Sequence, residues 1–137
     1  MRGKRSVRPA ALLLLLLLAA LPVLAESASA LYRHGQDAEA RDDYVAAYNY
    51  YEQAYRLKPK ELSYRTAMSR MRFEAGAQLV HHGQRLRDHG NLEEALAEFQ
   101  KAAATDPSSE IAQQEIRRTQ EMIRAANAKG TSGSSTR

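Results

Sequence analysis

Apolar residues recur every three to four positions through most of the chain beyond residue 26, broken by short polar or Pro/Gly clusters at Asp42-Asp43, Pro59, Gly90-Asn91 and Pro107. That period predicts amphipathic helices separated by turns. The stretch Gly76 to Pro107 carries the pattern most plainly. Leu79, Gly83 and Leu86 fall on one helical face, and Gly83 lets a neighbouring helix approach closely. His89-Gly90-Asn91 predicts the stop: Gly90 suits a left-handed C-terminal position, Asn91 an N-cap, and Glu94 completes a capping box. The next helix buries Leu92, Ala95, Leu96, Phe99, Ala102 and Ala103, and Asp106-Pro107 ends it.

The remaining elements follow from the same rules. Ser27 to Ala40 places Leu31, His34, Gly35 and Ala38 on one face. Tyr44 to Leu57 predicts a buried stripe of Tyr44, Ala47, Tyr48, Tyr51, Ala54 and Tyr55, with Tyr50 facing away. Their aromatic rings fill the seam between helices. From Glu61 to Asp88 no proline intervenes, and Leu62, Met68, Met71, Phe73 (or Ala75), Leu79 and Leu86 recur at helical spacing. One long helix over about 60–88 is expected, roughly 40 Å at ~1.5 Å per residue. Gly76 is its weak point, so a kink there is the alternative. Beyond Pro107, Ile111, Ile116 or Glu115, Thr119, Met122 and Ile123 form the inner side of a closing helix over about 109–126. Residues 128–137, ending in GTSGSSTR, read as a flexible tail.

Laying the chain over itself so that Gly35 meets Gly83 also brings Tyr44 onto Leu92, Ala47 onto Ala95, Tyr51 onto Phe99, Ala54 onto Ala102 and Pro59 onto Pro107. The chain therefore carries two copies of one helix-turn-helix unit, about 28–61 and 76–109. The set Leu79, Gly83, Leu86, Gly90, Ala95, Phe99, Ala102 and Pro107 resembles the tetratricopeptide repeat (TPR), with Leu79 and Leu86 standing where that family often has Trp and Tyr. The usual repeat period is about 34, so about 14 residues are inserted between the copies, almost four helical turns. The resemblance implies an all-α, short helical-hairpin solenoid over 26–127 with one unusually long helix and a C-terminal capping helix. It also implies a concave side that binds a protein or peptide segment. Carried onto this sequence, its groove residues are Tyr32, Gln36 and Glu39, then Val80, Gln84, Arg87 and Asp88. The order LKPKELSYRTAMSRMRFEAG, HGQRLRDHGNLEEALAEFQKA and DPSSEIAQQEIRRTQEMI further resembles the exported N-terminal TPR region of bacterial type II secretion or pilus secretins. That implies a scaffold or assembly role beside a secretin. A generic periplasmic adaptor and an inner-membrane organiser held by its signal segment are the alternatives.

Residues 1–25 read as a secretory signal peptide: a basic start, an apolar run from Ala10 to Leu21 with seven consecutive leucines, then Pro22 and small residues. Cleavage is expected after Ala25, with Ala28-Ser29-Ala30 a second candidate. The run is short for a membrane span, which takes about 20 apolar residues. Export to the periplasm or cell envelope follows, with no cysteine available for lipidation or disulfides. Membrane contact is expected only if this segment is retained.

Charge alters the picture little. The net charge of +4 resides in Arg2, Lys4, Arg5 and Arg8, and from residue 26 onward 16 basic residues (20 minus 4) face 16 acidic ones. Basicity gives no argument for nucleic acid. Lys58, Arg65 and Arg72 repeat every seven positions as a candidate basic face, either solvated or able to dock an acidic partner or lipid head groups. His81, His82 and His89 point in different directions along a helix, so one ion cannot join them. The pairs Asp42-Asp43 and Glu93-Glu94 sit at helix starts, where negative charge suits the dipole. No nucleophile constellation, P-loop or dinucleotide fingerprint is present. A non-enzymatic protein without metal or cofactor is expected.

Overall fold

The structure, a computed structural model, describes residues 26–133. The expected signal peptide and the last four residues lie outside that range. The described residues are all-helical: α1 Ala28–Glu39, α2 Tyr44–Leu57, α3 Leu62–Asp88, α4 Leu92–Thr105 and α5 Glu110–Gly133.

Local chemistry sets the boundaries. Ser27 caps α1 by accepting from the Ala30 amide at 3.2 Å. At the α1–α2 turn Asp42 takes φ 58°, a left-handed conformation Asp tolerates. Asp43 then caps α2 through the Ala46 amide at 3.1 Å. Gly90 closes α3 at φ 83°. The capping box expected at Asn91 does not form: Asn91 makes no side-chain cap bond. Its own amide instead donates to the Leu86 carbonyl at 2.9 Å, so the turn is closed through the backbone. Ser109 opens α5 by accepting from the Ala112 amide at 3.2 Å.

α3 is continuous over 27 residues, with no kink or break at Gly76. A Cβ at Gly76 would stand 3.1 Å from the Asp106 Cβ, so the absent side chain lets the α4–α5 turn close against the middle of α3. Two antiparallel hairpins use this one spine. α2 packs along its first half and α4 along its second, with α1 behind α2 and α5 beside α4. The lower core holds Leu31, Tyr51, Ala54, Tyr64, Ala67 and Met71, and the upper core Leu79, Val80, Ala95, Phe99, Ala102 and Ala112. Val45 of α2 packs against the upper cluster and joins the two.

Several inner faces differ from expectation. Leu62 and Phe73 are exposed (69% and 52%), while the expected Met71, the alternative Ala75 and, beside them, Tyr64 and Ala67 are buried. Ala67, Met71 and Tyr64 pack against the tyrosines of α2. Tyr50, expected to face away, is half-buried with its ring 5.5 Å from that of His34, because α2 is covered by α1 as well as α3. On α5 the buried residues are Ala112, Glu115 and Thr119, whereas Ile111 and Met122 are exposed. α5 also continues to Gly133 instead of ending near 126. Ala125, Ala126, Ala128 and Lys129 are good helix formers, and an established helix propagates through them into the expected tail.

Candidate partner-binding face

The two hairpins are built by the same contact. Gly35 faces the ring of Tyr51, and Gly83 faces the ring of Phe99; a Cβ at either glycine would fall within 3.0 Å of ring carbon. Tyr51 and Phe99 are among the most deeply buried large side chains. The two pairs occupy equivalent places in the two copies of the unit.

Equivalent positions also brace successive helices, with charges exchanged. Glu39 of α1 accepts from the Arg70 guanidinium of α3 (2.9 Å for the longer bond) and from the Tyr51 hydroxyl at 2.8 Å. Arg70 is the main reason the Glu39 carboxyl is held below its ordinary pKa. Burial, then Glu39, pushes the Tyr51 phenol well up. In the second unit Arg87 stands where Glu39 stood; it pairs with Glu115 of α5, and Gln84 donates to the same carboxylate at 3.1 Å. Burial alone would raise the Glu115 pKa, but the bonds from Arg87 and Gln84 outweigh it and the net direction is down. The Arg87 guanidinium also lies 5.6 Å from the Phe99 ring centroid.

These braces and the packing beside them engage several of the residues expected to line a groove. Tyr32 is packed between Tyr51 and Tyr64, with centroids at 5.2 and 4.9 Å. Glu39, Gln84 and Arg87 are committed to ion pairs or hydrogen bonds, and Val80 is buried. Gln36 and Asp88 remain exposed. The expected basic stripe is broken too. Lys58 is the C-cap of α2, before α3 begins, and cannot share its face. Arg65 is exposed, and Arg72 lays its guanidinium 4.9 Å from the Phe73 ring centroid.

What stays open is the outward side of α3. Glu74, Ala77, Gln78, His81, Arg85 and Asp88 and, with them, the expected groove residue Gln84 line an open cleft of about 580 Å³ beside Tyr44 of α2. It continues into a smaller hollow of about 180 Å³ where Phe73, Ala77 and Val80 face Ile111 of α5. The hydrophobic pattern assigns Phe73 and Ile111 to the core and so hides this face; their helical period is that of the buried stripe displaced by a position or two. His82 bonds Glu98 at 3.1 Å and His89 bonds the Arg85 carbonyl, so the three histidines do not converge. Among the described residues no group of three His, Cys, Asp or Glu could hold a metal ion, and no helix is long and apolar enough to cross a membrane.

No family model, curated protein or solved structure matches the chain. The class that the described residues define is therefore the one the fold itself gives: an all-helical protein.

Proposed function

We propose that the chain is a TPR-like, non-catalytic module that holds a segment of another protein along the outward side of α3. The observation that carries this reading is the open cleft from Glu74 to Asp88, which joins ionisable groups to the exposed apolar pair Phe73 and Ile111. Such a mixture suits a polypeptide, which brings both apolar anchors and polar backbone. The repeated Gly35–Tyr51 and Gly83–Phe99 contacts support the repeat reading. With residues 1–25 as an export signal, the site of action is the bacterial cell envelope, and the partner is a component of a secretin-type secretion or pilus apparatus.

Crosslinking in envelope fractions followed by pull-down tests this. The expected result is recovery of a secretion or pilus component that is lost in the F73E/I111E variant. Loss of the secretin link alone would follow if a different envelope protein were recovered through the same face.

A further inference from the structure

The turn between α2 and α3 carries a surface that its fold does not require. It runs Leu57-Lys58-Pro59-Lys60-Glu61-Leu62, and its counterpart after α4 runs Thr105-Asp106-Pro107-Ser108-Ser109-Glu110. The backbones are alike. Lys58 and Asp106 have φ −136° and −124°, and their amides donate to Ala54 and Ala102 at 3.1 and 2.8 Å. The Glu61 amide returns to the Lys58 carbonyl at 3.0 Å, as Ser109 does to Asp106 at 3.1 Å. In the second turn Asp106 is buried and bonds Ser108 at 2.6 Å, whereas the first turn holds two leucines in water, at 56% and 69% exposure.

Charge accompanies those leucines. Arg56 is tied to Glu52 at 3.0 Å, but Lys58, Lys60 and Arg65 make no ion pair among the described residues. Glu61, which accepts from Ser63 at 3.0 Å, is the acid within this turn. The position is also particular. Glu26 and Leu57 line one hollow of about 320 Å³, so the turn sits beside the point where the chain arrives from the Leu-rich segment 1–25. Two exposed leucines framing lysines match the two layers of an anionic bilayer, head groups for the amines and acyl boundary for the leucines. An acidic protein surface would satisfy the lysines and leave the leucines unexplained.

We propose that this turn is a membrane-surface contact that seats the base of the molecule on anionic lipid. Contact is made with or without segment 1–25 attached, and is independent of what the outward side of α3 holds. With the base so seated, α3 points away from the bilayer and carries the α3–α4 turn about 40 Å from it, given 27 residues at ~1.5 Å each.

The chain has no cysteine, so single labels are clean. The exported protein carrying an environment-sensitive fluorophore at S63C, or at E93C beside the far turn, is added to vesicles of phosphatidylethanolamine and phosphatidylglycerol containing a lipid-borne quencher. The expected result is a blue shift and quenching at S63C and neither at E93C, with weaker binding to phosphatidylcholine vesicles. L57S/L62S and K58E/K60E, both at exposed positions, are each expected to weaken the S63C signal about tenfold or more while leaving the circular dichroism unchanged. An unquenched S63C label, equal quenching at both sites, or variants that quench like the parent would overturn the proposal. A response of S63C to soluble polyglutamate and not to vesicles would overturn it in favour of an acidic protein.

Discussion

Gly35 and Gly83 exist to admit one aromatic ring each, and the two contacts give the most direct handle on packing. With an added Cβ falling within 3.0 Å of ring carbon, G35A and G83A are each expected to cost about 1–3 kcal/mol in chemical denaturation. G130A, with nothing within 4 Å, is expected to be neutral or stabilising by up to ~1 kcal/mol. The Arg87–Glu115 pair, each side chain 11% exposed, behaves differently. R87M strands a largely buried carboxylate and should cost roughly 3 kcal/mol, whereas R87M/E115L should recover most of that loss. Glu39, Glu98 and Glu115 all have folded pKa values below the ordinary carboxylate range. Their stabilising contribution is complete above the unfolded pKa of about 4.3 and lost as pH falls through the folded values. Thermal melts should therefore show stability falling on the acid side of about pH 4.5, with the loss blunted in R87M/E115L. That Gly83 admits a close neighbour and that Gly, Ala and an aromatic residue recur at a fixed offset was legible along the chain; that the aromatic ring itself fills the place of the missing side chain was not. The ion pairs were not: Glu39–Arg70 and Arg87–Glu115 join distant parts of the sequence and arise only once helices are stacked.

Among the helices and turns, the turns and the continuity of α3 were legible, since Pro59, Gly90 and Pro107 punctuate the chain and no proline stands within α3, whose glycines are Gly76 and Gly83. Which side of α3 faces inward was harder. Met71 and Ala75 belong to the expected inner set and are buried with Tyr64 and Ala67, whereas Leu62 and Phe73 stand nearly opposite them on the helix, so the apolar residues of α3 occupy two sides and the pattern alone did not separate them. On α5, Ile111 and Met122 flank the buried Ala112, Glu115 and Thr119 and face outward. A rigid spine makes a distance prediction. Spin labels at R65C and D88C, near opposite ends of α3, should give one narrow distribution centred at about 35 Å, from the ~1.5 Å rise per residue. A bimodal or much shorter distribution would mean that the helix bends at Gly76 and that the two hairpins move separately.

At the scale of the whole molecule, the described residues place α2 and α4 along one long helix, α3, with α1 against α2 and α5 against α4. Of the residues that the repeat resemblance assigns to a groove, Tyr32, Glu39 and Arg87 are taken up in packing or in braces between stacked helices, while Val80, Gln84 and Asp88 line the outward side of α3 together with Phe73, Ala77, His81 and Arg85. Which of them stay open could not be read from the chain, because a polar residue on a helix face is equally suited to solvent, to a partner or to the next helix until the stacking is known. Whether this outward side of α3 holds another polypeptide is decided by photo-crosslinking in cells, with the reactive residue placed at Phe73, Ala77 or His81 and, as controls, at Ala97 or Gln100 on the exposed side of α4. One discrete protein adduct is expected from all three α3 positions and none from the controls. Adducts from Ala97 or Gln100 with none from α3 would show that the partner sits elsewhere and that the α3 face is only solvated.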